Sequence, residues 1–147
     1  MEKNQGNILL KKLLLSFSES AEDVVKLFNE DAVIEFPYAA SAGFPDRRKI
    51  NLNTYFKHIN AGLKNMLNLN FSDIRVYPME KKDEYWAEAH GEAVITSTGL
   101  SYAQDYVMYF KVSNNKFQHY KEYWDPVPGL KSFGGTHGSQ DIFESDS

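Results

Sequence analysis

Up to about residue 70 the apolar positions of this chain mostly recur every three or four residues; beyond it they alternate with polar ones. Helices are therefore expected first and strands afterwards. Ile8, Leu9, Leu13, Leu14, Leu15 and Phe17 form a broad helical face with Lys11 and Lys12 opposite, predicting a first helix packed across a core. Ser20 followed by Glu22 and Asp23 reads as an N-cap with acids in the first turn of a second helix running through Val24, Val25, Leu27 and Phe28. Ala32, Ile34 and Phe36 alternate with Val33 and Glu35 as a short strand that Pro37 ends. The polar, Gly- and Pro-containing stretch from Tyr38 to Lys49 is a loop long enough to border a pocket. Asn51 or Asn53 caps a third helix with the stripe Leu52, Tyr55, Phe56, Ile59, Leu63, Met66 and Leu67. His58 sits at the edge of that stripe, Gly62 follows one turn later, and Asn68 to Asn70 break the helix.

Four strand-like segments follow, roughly 70–77, 84–97, 102–112 and 117–124, and segments this close in sequence form an antiparallel meander most simply. The second has a small-residue face of Tyr85, Ala87, Ala89, Gly91, Ala93 and Ile95, leaving room beneath it for a helix or a ligand. The third puts Tyr106, Met108, Phe110 and Val112 on one side and Val107, Tyr109 and Lys111 on the other. Both sides are rather apolar, so a core is expected on one and a second subunit on the other. Asn114 and Asn115 form a tight turn into the last strand. There, alternation places Gln118, Tyr120, Glu122 and Trp124 on one face and Phe117, His119, Lys121 and Tyr123 on the other, before Pro126 and Pro128 end the strand.

Composition narrows the class. With 147 residues, 42% apolar and 14% aromatic, the chain is long enough for one ordinary core. One domain over residues 1–134 is expected, with a flexible, acidic and Gly/Ser-rich tail at 135–147. A net charge of −4 and basic residues scattered apart from Arg47, Arg48 and Lys49 argue against a nucleic-acid surface. The lysine-interrupted N-terminal run is too short for a membrane span, so neither membrane nor nucleic acid is an expected partner and the location is taken as cytoplasmic. No cysteine is present, and four scattered histidines give no ligand spacing, so no metal and no cofactor are expected.

An acid flanked two residues away by Tyr120 and Trp124 is poorly solvated where its face is covered, so Glu122 is the first candidate for general acid–base chemistry. The bland alternative is a rim carboxylate paired with Lys121 or Arg47, and for His58 a solvent-facing position at a helix edge. Asp105 could face either way, and His90 and His119 belong to the face taken as convex.

The element order resembles the cone-shaped fold of the nuclear transport factor two superfamily, which includes ketosteroid isomerase and the SnoaL-like cyclases. KLFNEDAVIEFP at Lys26 to Pro37, YFKHI at Tyr55 to Ile59 and the closing KEYWDPVPGLKSFG carry the likeness, which spans roughly residues 7 to 134 and is greatest to the phenazine biosynthesis A/B proteins. The resemblance implies an α+β fold: a curved antiparallel sheet with three helices from the N-terminal half packed on its concave face. It does not carry over the isomerase machinery, because the general-base aspartate matches Phe36, no tyrosine precedes Tyr38, and the protonated aspartic acid would fall near Met108. The phenazine-type proteins instead share a glutamate matching Glu122 and a histidine matching His58, while their serine one turn on is Gly62 here. The expected site is thus Glu122 and His58 as the acid–base pair, lined by Tyr120, Trp124, Phe36, Tyr55, Met108, Tyr106 and Gly62 around a small apolar or cyclic molecule. Isomerisation, cyclisation, dehydration or condensation would fit it. A homodimer through the sheet is expected, and a non-catalytic binding or dimerisation module of the same fold is the alternative.

Overall fold

In the computed structural model, which describes residues 2–133, four helices flank one six-stranded sheet. Helices α1 (Glu2–Ser16) and α2 (Ala21–Val25) precede strands β1 (Phe28–Glu35) and β2 (Lys49–Ile50). Helix α3 (Leu52–Leu63) leads into β3 (Met66–Pro78), β4 (Glu84–Ile95), β5 (Ser101–Ser113) and β6 (Lys116–Tyr123), and α4 (Pro126–Ser132) follows. The sheet order is β2-β1-β6-β5-β4-β3, so the meander β3 to β6 is antiparallel and β1 joins its last strand in parallel. The expected tail at 135–147 lies outside the described residues. Among the described residues no helix is long and apolar enough to cross a membrane.

Local chemistry explains the helix starts. The Ser20 hydroxyl accepts the Asp23 N–H at 3.1 Å, and the Asn51 side chain accepts the Thr54 N–H at 2.9 Å, which makes Asn51 the cap of α3. On α1, Leu9, Leu10, Leu13 and Leu14 are buried and the helix crosses β3. Each buried leucine contributes about 1.5–3 kcal/mol of transfer free energy. Ile8 and Leu15, expected on that face, are exposed.

Several boundaries differ from the sequence expectation. The second helix stops at Val25, and Phe28 opens β1 instead, pairing with Phe117, because its buried ring packs on Tyr55, Phe117 and Tyr120. The third helix ends at Leu63, since Met66 and Leu67 belong to β3, where they pair with Ile95 and Val94. Asn68, at φ 56°, lies in a bulge of that strand. Strict alternation also fails in β6: Val112 pairs with Phe117 but Lys111 with His119, so one extra residue turns both Phe117 and Tyr120 into the core. Pro126 and Pro128 do more than end the strand. Asp125 caps α4 by accepting the Val127 N–H at 2.9 Å, and Pro126 takes the first helical turn, where its missing N–H costs nothing.

The small-residue face of β4 is buried throughout. Gly91 is required there, because a Cβ would lie 2.9 Å from both the Phe71 and Tyr106 rings. Met108, Phe110 and Val112 of β5 face the same core. The opposite face carries Trp86, Tyr109 and Tyr123, with the Trp86 and Tyr123 rings 6.1 Å apart.

Candidate functional site

Between the concave face of the sheet, α3 and α4 lies a cavity of about 560 Å³. Strands β5 and β6 supply Tyr102, Tyr106 and Glu122 to its wall, and Trp124 and Asp125 continue it past the strand end. Helix α3 supplies His58, Ala61 and Gly62, the 39–47 segment supplies Phe44 and Arg47, and α4 covers it with Pro126, Gly129 and Leu130. A smaller cavity of about 150 Å³ reaches toward α1, and Gly62, Met66, Tyr106 and Glu122 border both.

Glu122 is placed there by the last full turn of alternation in β6, opposite Met108. The hydroxyl of the fully buried Tyr120 donates to its Oε1 at 2.7 Å. Its Oε2 has no hydrogen-bond partner among the described residues. Burial pushes the Glu122 carboxyl up from the ordinary 4.5 to about 7, and the Tyr120 hydrogen bond only partly opposes this. The surroundings are phenolic: burial first, and the Glu122 charge after it, hold Tyr55 and Tyr120 well above the ordinary tyrosine range.

His58 lies on the facing wall. Its Nδ1 is buried with no hydrogen-bond partner among the described residues. Burial, and secondarily the Arg47 charge, lower its pKa below the ordinary 6.5. The usual order of the two groups is thereby changed. At neutral pH the carboxyl is about half protonated while the imidazole is mainly neutral, so Glu122 can both give and take a proton and His58 can orient or accept one. The Arg47 guanidinium stacks over the Phe44 ring at 4.0 Å. Arg48 instead turns outward and donates to the Pro37 carbonyl at 3.0 Å.

Of the remaining lining residues expected from the sequence, Trp124, Tyr106 and Gly62 border the main cavity, and Met108 borders the smaller one. Tyr120 and Tyr55 are buried core residues behind it, and Phe36 packs on Tyr55 with ring centroids 5.9 Å apart. Asp105 faces away from the cavity and meets His90 Nδ1 at 2.8 Å; Glu92 meets the other ring nitrogen at 2.8 Å. His119 pairs with Glu35 at 2.5 Å. His137 lies outside the described residues. Among the described residues no group of three or more histidine, aspartate or glutamate side chains is arranged to hold a metal ion. Sequence reasoning passed over Tyr102, Gln104, Phe44 and the α4 cover. The first two share parity with Tyr106 and Met108, which was the available signal.

No family model matches the chain. An uncharacterised PhzA/B-like protein of Pseudomonas aeruginosa is 28% identical over 141 residues, covering 96% of this chain and 98% of the relative. Among solved structures, a candidate isomerase from Bacillus subtilis is 26% identical with a TM-score of 0.82, covering 91% of this chain and 96% of that one. A Catenulispora acidiphila protein with a ketosteroid isomerase-like fold, solved with trimethylamine, has a TM-score of 0.70 at 10% identity, covering 86% and 92%. The α+β cone of this chain is therefore the ketosteroid isomerase-like, nuclear transport factor two-like fold.

Proposed function

We propose that this ketosteroid isomerase-like cone binds a small, largely apolar, cyclic molecule and moves a proton on it, with Glu122 as general acid–base group and His58 as its partner. The observation that carries this reading is the Glu122 carboxyl on the wall of a cavity large enough for a bicyclic ligand, held at one oxygen by Tyr120, with no partner for the other among the described residues, and pushed by burial up to about 7. In such a step the carboxylate takes a proton from carbon, the C–H electron pair moves into the adjoining π-system, and the same proton is returned to another atom. Isomerisation is its simplest form, and the candidate isomerase of 26% identity favours it over the binding-only alternative.

The test is solvent deuterium uptake by a panel of cyclic ketones and enones in D₂O, followed by NMR. The wild-type chain is expected to label at least one of them. Glu122→Gln should lose that labelling and His58→Ala should slow it by about 10²–10⁴-fold, the usual worth of a positioned acid–base group. Equal labelling by wild type and both variants sinks the assignment.

A second reading concerns association. We propose that two copies pair through the outer sheet face, supported by Trp86, 40% exposed beside Tyr123 and Tyr109. Light scattering is expected to give a dimer mass that Tyr109→Glu reduces to a monomer; an unchanged mass refutes it.

A further inference from the structure

Tyr102, Gln104 and Tyr106 occupy alternate positions on the inner side of β5, and their hydrogen bonds can be counted to the last proton. Gln104 is buried, at 3% exposed. Its amide orientation is fixed by backbone: the Asp125 N–H donates to Oε1 at 3.0 Å, and Nε2 donates to the Asp125 carbonyl at 2.6 Å. Rotating the amide would set N–H against N–H and carbonyl against carbonyl. The second Nε2 proton is thereby aimed at the Tyr102 hydroxyl, 3.3 Å away. That hydroxyl lies 3.1 Å from the hydroxyl of Tyr106.

Two phenols hold two O–H protons, and the contact between them uses one, whichever donates. The other has no acceptor among the described residues. Both residues line the main cavity, where most of the wall is apolar, and Tyr106 stands with Glu122 on the border of the smaller one. Burial holds both phenols above the ordinary tyrosine range, so the spare proton stays on oxygen at neutral pH. A chain of donors from amide to phenol to phenol polarises its last member.

We propose that the Tyr102–Tyr106 pair, oriented by Gln104, donates a hydrogen bond to a carbonyl or enolate oxygen of the molecule in the cavity. This rests on the acid–base reading of the same cavity and narrows its ligand to carbonyl compounds. When Glu122 takes a proton from the carbon beside the carbonyl, the C–H pair becomes the C=C bond and the carbonyl π-pair moves to oxygen, where the phenol holds it. Gln104 is a positioning residue and touches no ligand.

The test uses the full chain with two probes that differ only at the oxygen, 1-tetralone labelled with ¹³C at the carbonyl and tetralin. On binding to wild type, the carbonyl carbon should move downfield of its position in hydrocarbon solvent. The double variant Tyr102→Phe, Tyr106→Phe should abolish that shift and bind 1-tetralone about fivefold more weakly, the worth of one ordinary net hydrogen bond, with tetralin binding unchanged. Each single variant leaves one phenol with a free proton, so each should lose less than the double and the losses should not add. Unchanged 1-tetralone affinity and carbonyl shift in the double variant, with tetralin bound by both proteins, overturns the donor and leaves the acid–base cavity standing. Failure of wild type to bind either probe overturns both. Should the double variant not fold, the wild-type carbonyl shift decides alone: a bound value equal to that in hydrocarbon solvent overturns the donor.

Discussion

Replacing Glu122 by glutamine isolates what the fold loses by ionising a carboxyl in this cavity. Burial raises the group from the ordinary 4.5 to about 7. Between those values the unfolded chain has released the proton and the folded chain has kept it, so rising pH favours unfolding across that window. The contribution is fully present below about 4.5 and spent above about 7. At about 1.4 kcal/mol per pH unit it amounts to about 3 kcal/mol, a ceiling that water entering the cavity lowers. Glutamine does not titrate, yet its Oε1 can still accept the Tyr120 hydroxyl proton. Two histidines add their own slopes. His90, raised first by its hydrogen bond to Asp105 and then by that to Glu92, makes folding weaken as pH climbs above 6.5. His58, lowered, makes folding strengthen as pH climbs toward 6.5. Both are present in either protein and cancel in the difference. Urea unfolding of wild type and Glu122→Gln from about pH 4.5 to about pH 8.5 is the assay. The variant should gain on wild type by up to about 3 kcal/mol over that range. A difference that stays flat, or moves in favour of wild type, refutes the reasoning.

Gly91→Ala should lower stability by about 1–3 kcal/mol in the same unfolding assay, because its Cβ would press within 2.9 Å of the Phe71 and Tyr106 rings. Gly62→Ala has open space around its Cβ and lies inside α3, so a gain of up to about 1 kcal/mol in the melting of the variant is expected. Arg47→Ala removes a positive charge that depresses His58, so the His58 midpoint in a proton NMR titration should rise toward 6.5, and a fall would contradict the described geometry.

The alternation of β4 and β5 was legible because one face of each packs on a dense core, and a slip of one residue would have exposed all of it. The α3–β3 junction was not. Met66 and Leu67 continue the three-and-four spacing of Ile59 and Leu63, and only their pairing with β4 decides that they are strand. Phe28 is the same case, an apolar residue that suits a helix end until Phe117 and Tyr120 are packed on it. The bulge in β6 lies beyond any period-two reading, because the extra residue is set by pairing with β5. At the cavity, Glu122 and Trp124 followed from spacing in one strand, whereas His58 came from the resemblance to the phenazine-type proteins, its place on a helix edge alone pointing to solvent. Tyr102 and Gln104 were passed over because a polar residue inside an apolar face looks like noise until its backbone partners on Asp125 are seen. The α4 cover was hidden by its prolines, which stop a strand and start a helix equally well.

The most direct measurement is the titration of the Glu122 side-chain carboxyl itself, by ¹³C NMR with glutamate labelling and the signal assigned by its absence in Glu122→Gln. A midpoint near 7 is expected, with the group shared between its acid and base forms at neutral pH. A midpoint near 4.5 would leave a permanently ionised carboxylate on the cavity wall and contradict its assignment as the proton-transferring group.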